Sequence, residues 1–209
     1  MELLKALEWR YATKKMNGQK IQEDKLNRIL EATRLTPSSY GLTPYKVIVV
    51  EDQKLKEELQ GAAYGQTQLV DSSVVLVFAT WDDISNEDVD MYIDEISKQR
   101  NISSDMLGEF SDMIKGTIAN MTQEQKVMWA QKQAYIGLGF ALTASAIEEV
   151  DSTPMEGFNP VSVDNILGLN ELKLKSVVLL PLGYRDSNND YLSSMKKVRW
   201  DNDKFFIRK

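Results

Sequence analysis

The stretch STPMEGFNP, residues 152–160, separates two helical patterns. It is oddly made for a plain connector. Pro154 stiffens the entry, and Gly157 permits backbone angles that other residues avoid. Glu156 stands between Met155 and, past the glycine, Phe158. Behind the turn, Thr122 and Gln125 form a T-x-x-Q capping box that opens a long helix running to about Glu149. Ala134, Leu138, Ala141, Leu142 and Ser145 line one of its faces. Gly137 and Gly139 interrupt this helix at a cost in propensity, which predicts that another backbone or a flat ligand packs closely there. Ahead of the turn, Asn159 and Pro160 are placed as cap and first-turn residue of a short helix over 161–167.

Working outward, YKVIVV (45–50), SSVVLVFAT (72–80) and SVVLLPLGY (176–184) read as strands, rich in β-branched residues. The second is apolar almost throughout, which predicts burial on both faces. Helices are predicted over 2–9, where Leu3, Leu4 and Leu7 share a face, over 24–34, ending before Pro37, and over 54–61. RYATKK (10–15), MNGQK (16–20), TPSSYGLTP (36–44) and YGQTQ (64–68) are connecting segments. Residues 82–120 are acidic, contain methionines and are weakly periodic; they read as a protruding excursion of one or two helices. A polar tail starts at Asp186, and the FFI near its end has strand character, as though an apolar tip docks on a second subunit. The pattern is a mixed α/β chain without strict alternation, so a doubly wound sheet fits poorly. No GxGxxG or Walker A loop occurs.

Composition narrows the chemistry. The 209 residues and 23.8 kDa suit one domain. A net charge of −6 argues against nucleic acid as a partner. Without cysteine there is no disulfide, zinc ribbon or thiol nucleophile, and without histidine there is no Ser-His-Asp triad. Glu2 and Lys5 break the first apolar run, so it is not a signal peptide. No stretch approaches the roughly 18 apolar residues of a membrane helix, and the cytoplasm is the expected location. Either Asp, Glu, Lys, Tyr or Ser does the chemistry, or a cofactor does.

Three segments concentrate cations without a matching acid: Arg10, Lys14 and Lys15; Lys196, Lys197 and Arg199; Arg208 and Lys209. An arginine fork beside a lysine makes a phosphate clamp, although solvated surface charge is the blander reading. TPSS offers hydroxyls and loop amides, or is simply a helix stop. The amides of YGQTQ could bind polar atoms, or form only a turn.

Taken in order, these segments resemble the FMN-dependent nitroreductase family over about residues 8–200. RYATKK looks like that family's opening R-x-[ST/A]-x-K motif, and TPSSYGLTPYKVIVV like its P-S-x-x-N-x-Q-P-W-x-F-x-V loop and strand. AYGQTQLVDSSVVLVF looks like its NQ-x-Q loop and buried strand, and WAQKQAYIGLGFAL like its central helix. DSTPMEGFNP looks like its P-x-E-G-F turn, and KKVRW like its C-terminal K-x-R. The resemblance implies an α+β homodimer with an antiparallel-dominated sheet flanked by helices. C-terminal arms (here about 186–209) would be exchanged between subunits, with FMN at the interface.

Carried over by motif, Arg10, Ala12 and Lys14 would contact the flavin, Arg10 at the phosphate and Lys14 at the polar edge of the ring. Tyr11 and Thr13 would lie along the same loop. Ser38 and Ser39 would come from the other subunit, and Pro37 and Gly41 of the same loop would also bind the cofactor. Gln66 and Gln68 would sit near the ribityl chain and ring, and Lys197 and Arg199 at the phosphate. Pro154, Met155, Glu156 and Gly157 would lie against the isoalloxazine, with the Glu156 main-chain N–H donating to N5. No side chain is then a catalytic group. NADPH or NADH would deliver a hydride to N5, and a nitroaromatic, quinone or similar flat electrophile would collect it in ping-pong fashion. Lys14, Tyr40 and Phe110 are candidates for the acceptor side, as are Met106 and Met113, each of which core packing also explains.

The family's usual Asn, Gln and Trp of the serine loop are Gly41, Thr43 and Tyr45, and the Asn of its NQ-x-Q is Gly65. These departures leave the nicotinamide and the acceptor open. They also keep alive a non-catalytic flavin-binding protein of the same fold.

Overall fold

Strand β2 (Val74–Trp81) runs through the centre of the computed structural model, which describes residues 1–209. It pairs antiparallel with β1 (Tyr45–Val50) on one side and β4 (Leu174–Gly183) on the other. A two-residue strand, β3 (Asp151–Ser152), closes the far edge on β4, giving the order β1-β2-β4-β3. The chain is thus a mixed α+β fold on an antiparallel sheet, as expected.

The uniform apolar run of β2 has a direct cause. Val74, Leu76 and Phe78 face Ile29 of α2 (Glu23–Arg34) and Ala134, Leu138 and Ala141 of α7 (Gln123–Ile147). Val75 and Val77 face Leu59 of α3 (Gln53–Ala62), Leu69 of α4 (Gln68–Asp71) and Val163 of α8 (Pro160–Ile166). A strand covered on both faces has no polar side, and each large side chain so buried contributes about 1.5–3 kcal/mol. The remaining helices are α1 (Leu3–Trp9), α5 (Asn86–Arg100), α6 (Gly108–Ala119) and α9 (Asn202–Phe205). α5 and α6 occupy the acidic region. They pack Val89, Ile93, Ile96, Ile114 and Ile118 into a cluster of their own with Leu42, Ile84 and Ala130.

The capping box on α7 forms as read: Thr122 Oγ1 accepts from Gln125 N at 3.2 Å, and Gln125 Oε1 accepts from Thr122 N at 2.8 Å. Such a cap is worth about 1 kcal/mol. Asn159 likewise caps α8, accepting from Ser162 N at 3.1 Å.

Three details differ from the sequence reading. At Gly137 a Cβ would stand 2.5 Å from the Tyr45 hydroxyl, so a side chain, not a backbone or a flat ligand, requires that glycine. At Gly139 nothing lies within 4 Å. Phe205 ends the helical turn α9, and no strand pairing involves the FFI segment. No helix is long and apolar enough to cross a membrane.

Candidate functional site

The RYATKK loop is latched onto the β3–β4 edge of the sheet. Ala12 bridges Ser152 in parallel, and Met16 bridges Arg185 antiparallel. Thr13 is wholly buried; its hydroxyl donates to Asp151 at 3.1 Å, and its carbonyl accepts from the Thr153 hydroxyl at 2.6 Å. The Tyr11 hydroxyl and the Lys14 N–H both donate to Asp190 Oδ2 at 2.9 Å. Burial, and then that bond to Asp190, pushes the Tyr11 phenol up to about 12. Arg185 completes the latch: its guanidinium donates to Asp151 at 2.5–3.0 Å and lies 4.2 Å and 4.5 Å from the Trp9 and Tyr11 ring centroids. These bonds satisfy the buried Asp151, and the loop is held at several points independent of any ligand.

Against this latch lies a groove of about 420 Å³, lined by residues 8–12, Pro154, Arg185 and the 192–199 segment. Arg10, Lys197 and Arg199 converge here. None of the three is in an ion pair. Arg10 Nε is buried and has no hydrogen-bond partner at all. Burial, then the charge of Arg199, lowers the Arg10 pKa from its ordinary value; burial, then Arg10 and Arg199, does the same to Lys197. Lys197 Nζ reaches only the Leu7 carbonyl. Like charges crowded in this way call for an anion. Lys15 does not belong with them: contrary to the sequence reading it has a matching acid, Asp71, at 2.6 Å.

The STPMEGFNP turn lies beside the same groove, which Pro154 helps to line. Met155 exchanges two main-chain hydrogen bonds with Leu179, at 2.8 and 3.0 Å, which ties the turn to β4. Gln66 donates to the Gly157 carbonyl at 2.7 Å and to the Ala63 carbonyl at 3.1 Å, so the YGQTQ loop clamps the turn from one side. Tyr135 of α7 clamps it from the other, donating to Glu156 Oε1 at 2.5 Å. Burial, and then that bond, pushes the Tyr135 phenol up to about 12, so it remains a donor at any ordinary pH. The main-chain N–H groups of Glu156 and Gly157, both exposed residues, donate to no acceptor in the chain. A Cβ at 157 would meet only Gln66 Nε2, at 3.5 Å. Nothing inside the chain therefore demands a glycine there. Gln68 is buried as the first residue of α4.

The other half of the expected site is elsewhere. Pro37 is exposed, and the serine loop bonds towards α5, α6 and α7. Ser39 N donates to Gln133 at 2.8 Å, Tyr92 donates to the Tyr40 carbonyl at 2.9 Å, and the Tyr40 hydroxyl is 3.1 Å from Thr117 Oγ1. The Ser38 hydroxyl accepts from Thr43 N at 2.9 Å. No hydrogen bond joins this loop to residues 10–16, 154–157 or 196–199. Tyr40, Gly41 and Thr43 all have left-handed backbones (φ 58°, 76° and 49°), so a fixed, strained shape is maintained here. Tyr40 packs edge-on against Phe110 with centroids 6.4 Å apart, while Lys14 is part of the latched loop and bonds to Asp190.

The sequence profile of the nitroreductase family matches residues 7–184. A protein of Staphylococcus saprophyticus with the provisional name NAD(P)H nitroreductase is 31% identical over 194 residues, 88% of this chain and 89% of that protein. The chain belongs to the nitroreductase family. This is a family of oxidoreductase enzymes, as the resemblance implied. Solved nitroreductase folds agree in shape. A provisionally assigned nitroreductase of Bacillus subtilis superposes with a TM-score of 0.86 at 21% identity, covering 99% of this chain and 98% of that one. Another, from Exiguobacterium sibiricum and in complex with FMN, gives 0.83 at 16% identity, covering 100% and 98%.

Asp151, Asp190, Arg185 and Tyr135 organise the groove and the turn beside it, yet the sequence did not single them out. Asp151 and Tyr135 sit inside quoted motifs but at positions without a motif role. Arg185 and Asp190 fall in the polar YRDSNND run, which carries no periodic signal.

Proposed function

We propose that the protein is an FMN-dependent oxidoreductase that moves a hydride from NADPH or NADH to a flat electrophilic acceptor, a nitroaromatic or a quinone. One observation carries the reading: the unpartnered, buried Arg10 Nε in a cluster with Lys197 and Arg199, none of which is in an ion pair. Pro154 and the three cations line one groove, which suits a ligand that carries a phosphate at one end and a ring at the other. Arg10, Lys197 and Arg199 would take the phosphate. Gln66, Lys14 and the 154–157 turn would take the ribityl chain and ring, with Ala12 on the loop between. The free N–H groups of Glu156 and Gly157 would be donors for the N5 side of the ring, and Gly157 would let the ring approach the main chain. The names of the relatives support the same reading: NAD(P)H for the staphylococcal protein, FMN for the Exiguobacterium structure.

When bound, FMN supplies two-electron hydride chemistry in two half-reactions that use the same space, one with NAD(P)H and one with the acceptor. The chain's own residues bind, orient and exclude water. With no histidine or cysteine available, none of them has to act as a nucleophile.

The reading includes a homodimer of a single FMN-binding domain in the cytoplasm. Tyr135, Ile136, Phe140 and Ile147 leave apolar surface on α7 exposed. Trp200, Phe205, Phe206 and Ile207 are exposed on the tail. β1 has a free edge, beside which lies a groove of about 360 Å³ lined by Leu30, Tyr45, Val47 and Val49 among others. A partner subunit would cover these surfaces with its exchanged arm. It would also bring Pro37, Ser38, Ser39 and Gly41 to this subunit's flavin. Tyr40, packed against Phe110 of α6, would face the acceptor together with it.

The test is the visible spectrum of purified protein supplied with FMN, read before and after anaerobic addition of NADPH or NADH, and again after a quinone. A bound yellow chromophore that bleaches and then recovers is expected. A yellow protein that never bleaches would mark a flavin store, and a protein that ignores FMN would remove the site.

A further inference from the structure

We propose that Tyr135 is a positioning residue that tunes the flavin: by holding the Glu156 carboxylate against α7, it keeps that negative charge turned away from the N5 edge and sets the reduction potential of bound FMN. The inference rests on the FMN reading above.

The geometry is specific. Glu156 supplies a free main-chain N–H at the middle of the turn, so its own carboxylate is only a few bonds from any group that accepts from that N–H. A ring gaining electrons gains negative charge, and a carboxylate within about 4–6 Å opposes it. An unrestrained Glu156, on an exposed turn, would reach that position. The Tyr135 hydroxyl prevents this with a 2.5 Å bond from the neighbouring helix. The carboxylate has no other partner: no cation pairs with it, and no second donor reaches it. The opposite side of the turn is fixed separately by Gln66 on the Gly157 carbonyl. Losing the tyrosine bond therefore frees the charge while the turn stays attached to β4 and to the YGQTQ loop. Replacing Tyr135 by phenylalanine removes one hydroxyl and keeps the ring in place.

The experiment measures the midpoint potential of FMN bound to the holoenzyme by dye equilibration, together with FMN affinity, for wild type, Tyr135→Phe, Glu156→Gln and the double variant. Tyr135→Phe is expected to shift the potential negative with FMN affinity changed less than about twofold. Glu156→Gln is expected to shift it positive. In the double variant, the tyrosine change is expected to lose its effect, since the charge it controls is gone. A Tyr135→Phe potential equal to wild type, or the same negative shift persisting in the Glu156→Gln background, overturns the proposal while the flavin reading stands. Wild-type protein that takes up no FMN overturns both.

Discussion

Two groups of charged side chains lie side by side at the β3–β4 edge, and they are built on opposite principles. In one, Arg185 donates to the buried Asp151 and stacks on Trp9 and Tyr11, so every charge is answered within the chain. In the other, burial and then the neighbouring cations lower the pKa values of Arg10 and Lys197, and a buried guanidinium nitrogen has no acceptor. The first group is scaffold; the second is the proposed site. A satisfied network stabilises the fold, whereas an unsatisfied one stores a demand that a ligand meets.

The largest effect expected from breaking this contrast is on the scaffold side. Asp151→Ala removes the buried acid that holds the partly buried Arg185 and the buried Thr13 hydroxyl, and should cost about 3 kcal/mol in urea unfolding. Arg10→Ala should do the reverse: stability unchanged or slightly raised, since repulsion with Arg199 is relieved, but FMN affinity reduced by about 10- to 100-fold, the worth of one charged hydrogen bond of about 1.5–3 kcal/mol. Arg199→Ala should follow Arg10→Ala in affinity. Isothermal titration and denaturation on the same preparations would separate the two behaviours.

A smaller effect concerns pH. Lys197 has a lowered pKa in the folded apo-protein, so in the window between that value and the ordinary lysine value near 10.4 the unfolded chain binds more protons. Its charge therefore weakens the apo-fold most below the window, and stability contributed at this position rises with pH through it. Compared with Lys197→Gln, wild-type apo-protein should gain stability across that range, while its FMN affinity falls as the cation is lost. The smallest effect is on salt. FMN affinity should decline from low ionic strength to about 0.15 M as the exposed part of the cluster is screened, with the Asp151–Arg185 contribution hardly altered.

The legibility of the sequence follows the same division. β1, β2, β4, α2 and α7 were readable because each repeats a simple rule, apolar burial on a period or a capping box, over many residues. β3 and α4 are two and four residues long and follow no period; tertiary pairing alone creates them. The cationic positions Arg10, Lys197 and Arg199 stood out against an acidic background. Lys15 looked the same in sequence, and only the fold brings Asp71 to it. The Asp151–Arg185 pair spans 34 positions, and the Asp190–Tyr11 bond spans 179, so no local pattern records them. Gly137 shows the limit from another side: the break in helix propensity was visible, but not that a tyrosine 92 positions earlier fills the gap.

The measurement that bears most directly on the account is the ratio of affinities for FMN and riboflavin, which differ by the phosphate alone, in wild type and in Arg10→Ala. The account predicts that wild type prefers FMN by 10-fold or more, about the worth of one charge-assisted bond, and that Arg10→Ala loses most of that preference while binding riboflavin as before. An Arg10→Ala protein that still prefers FMN as strongly as wild type would contradict it.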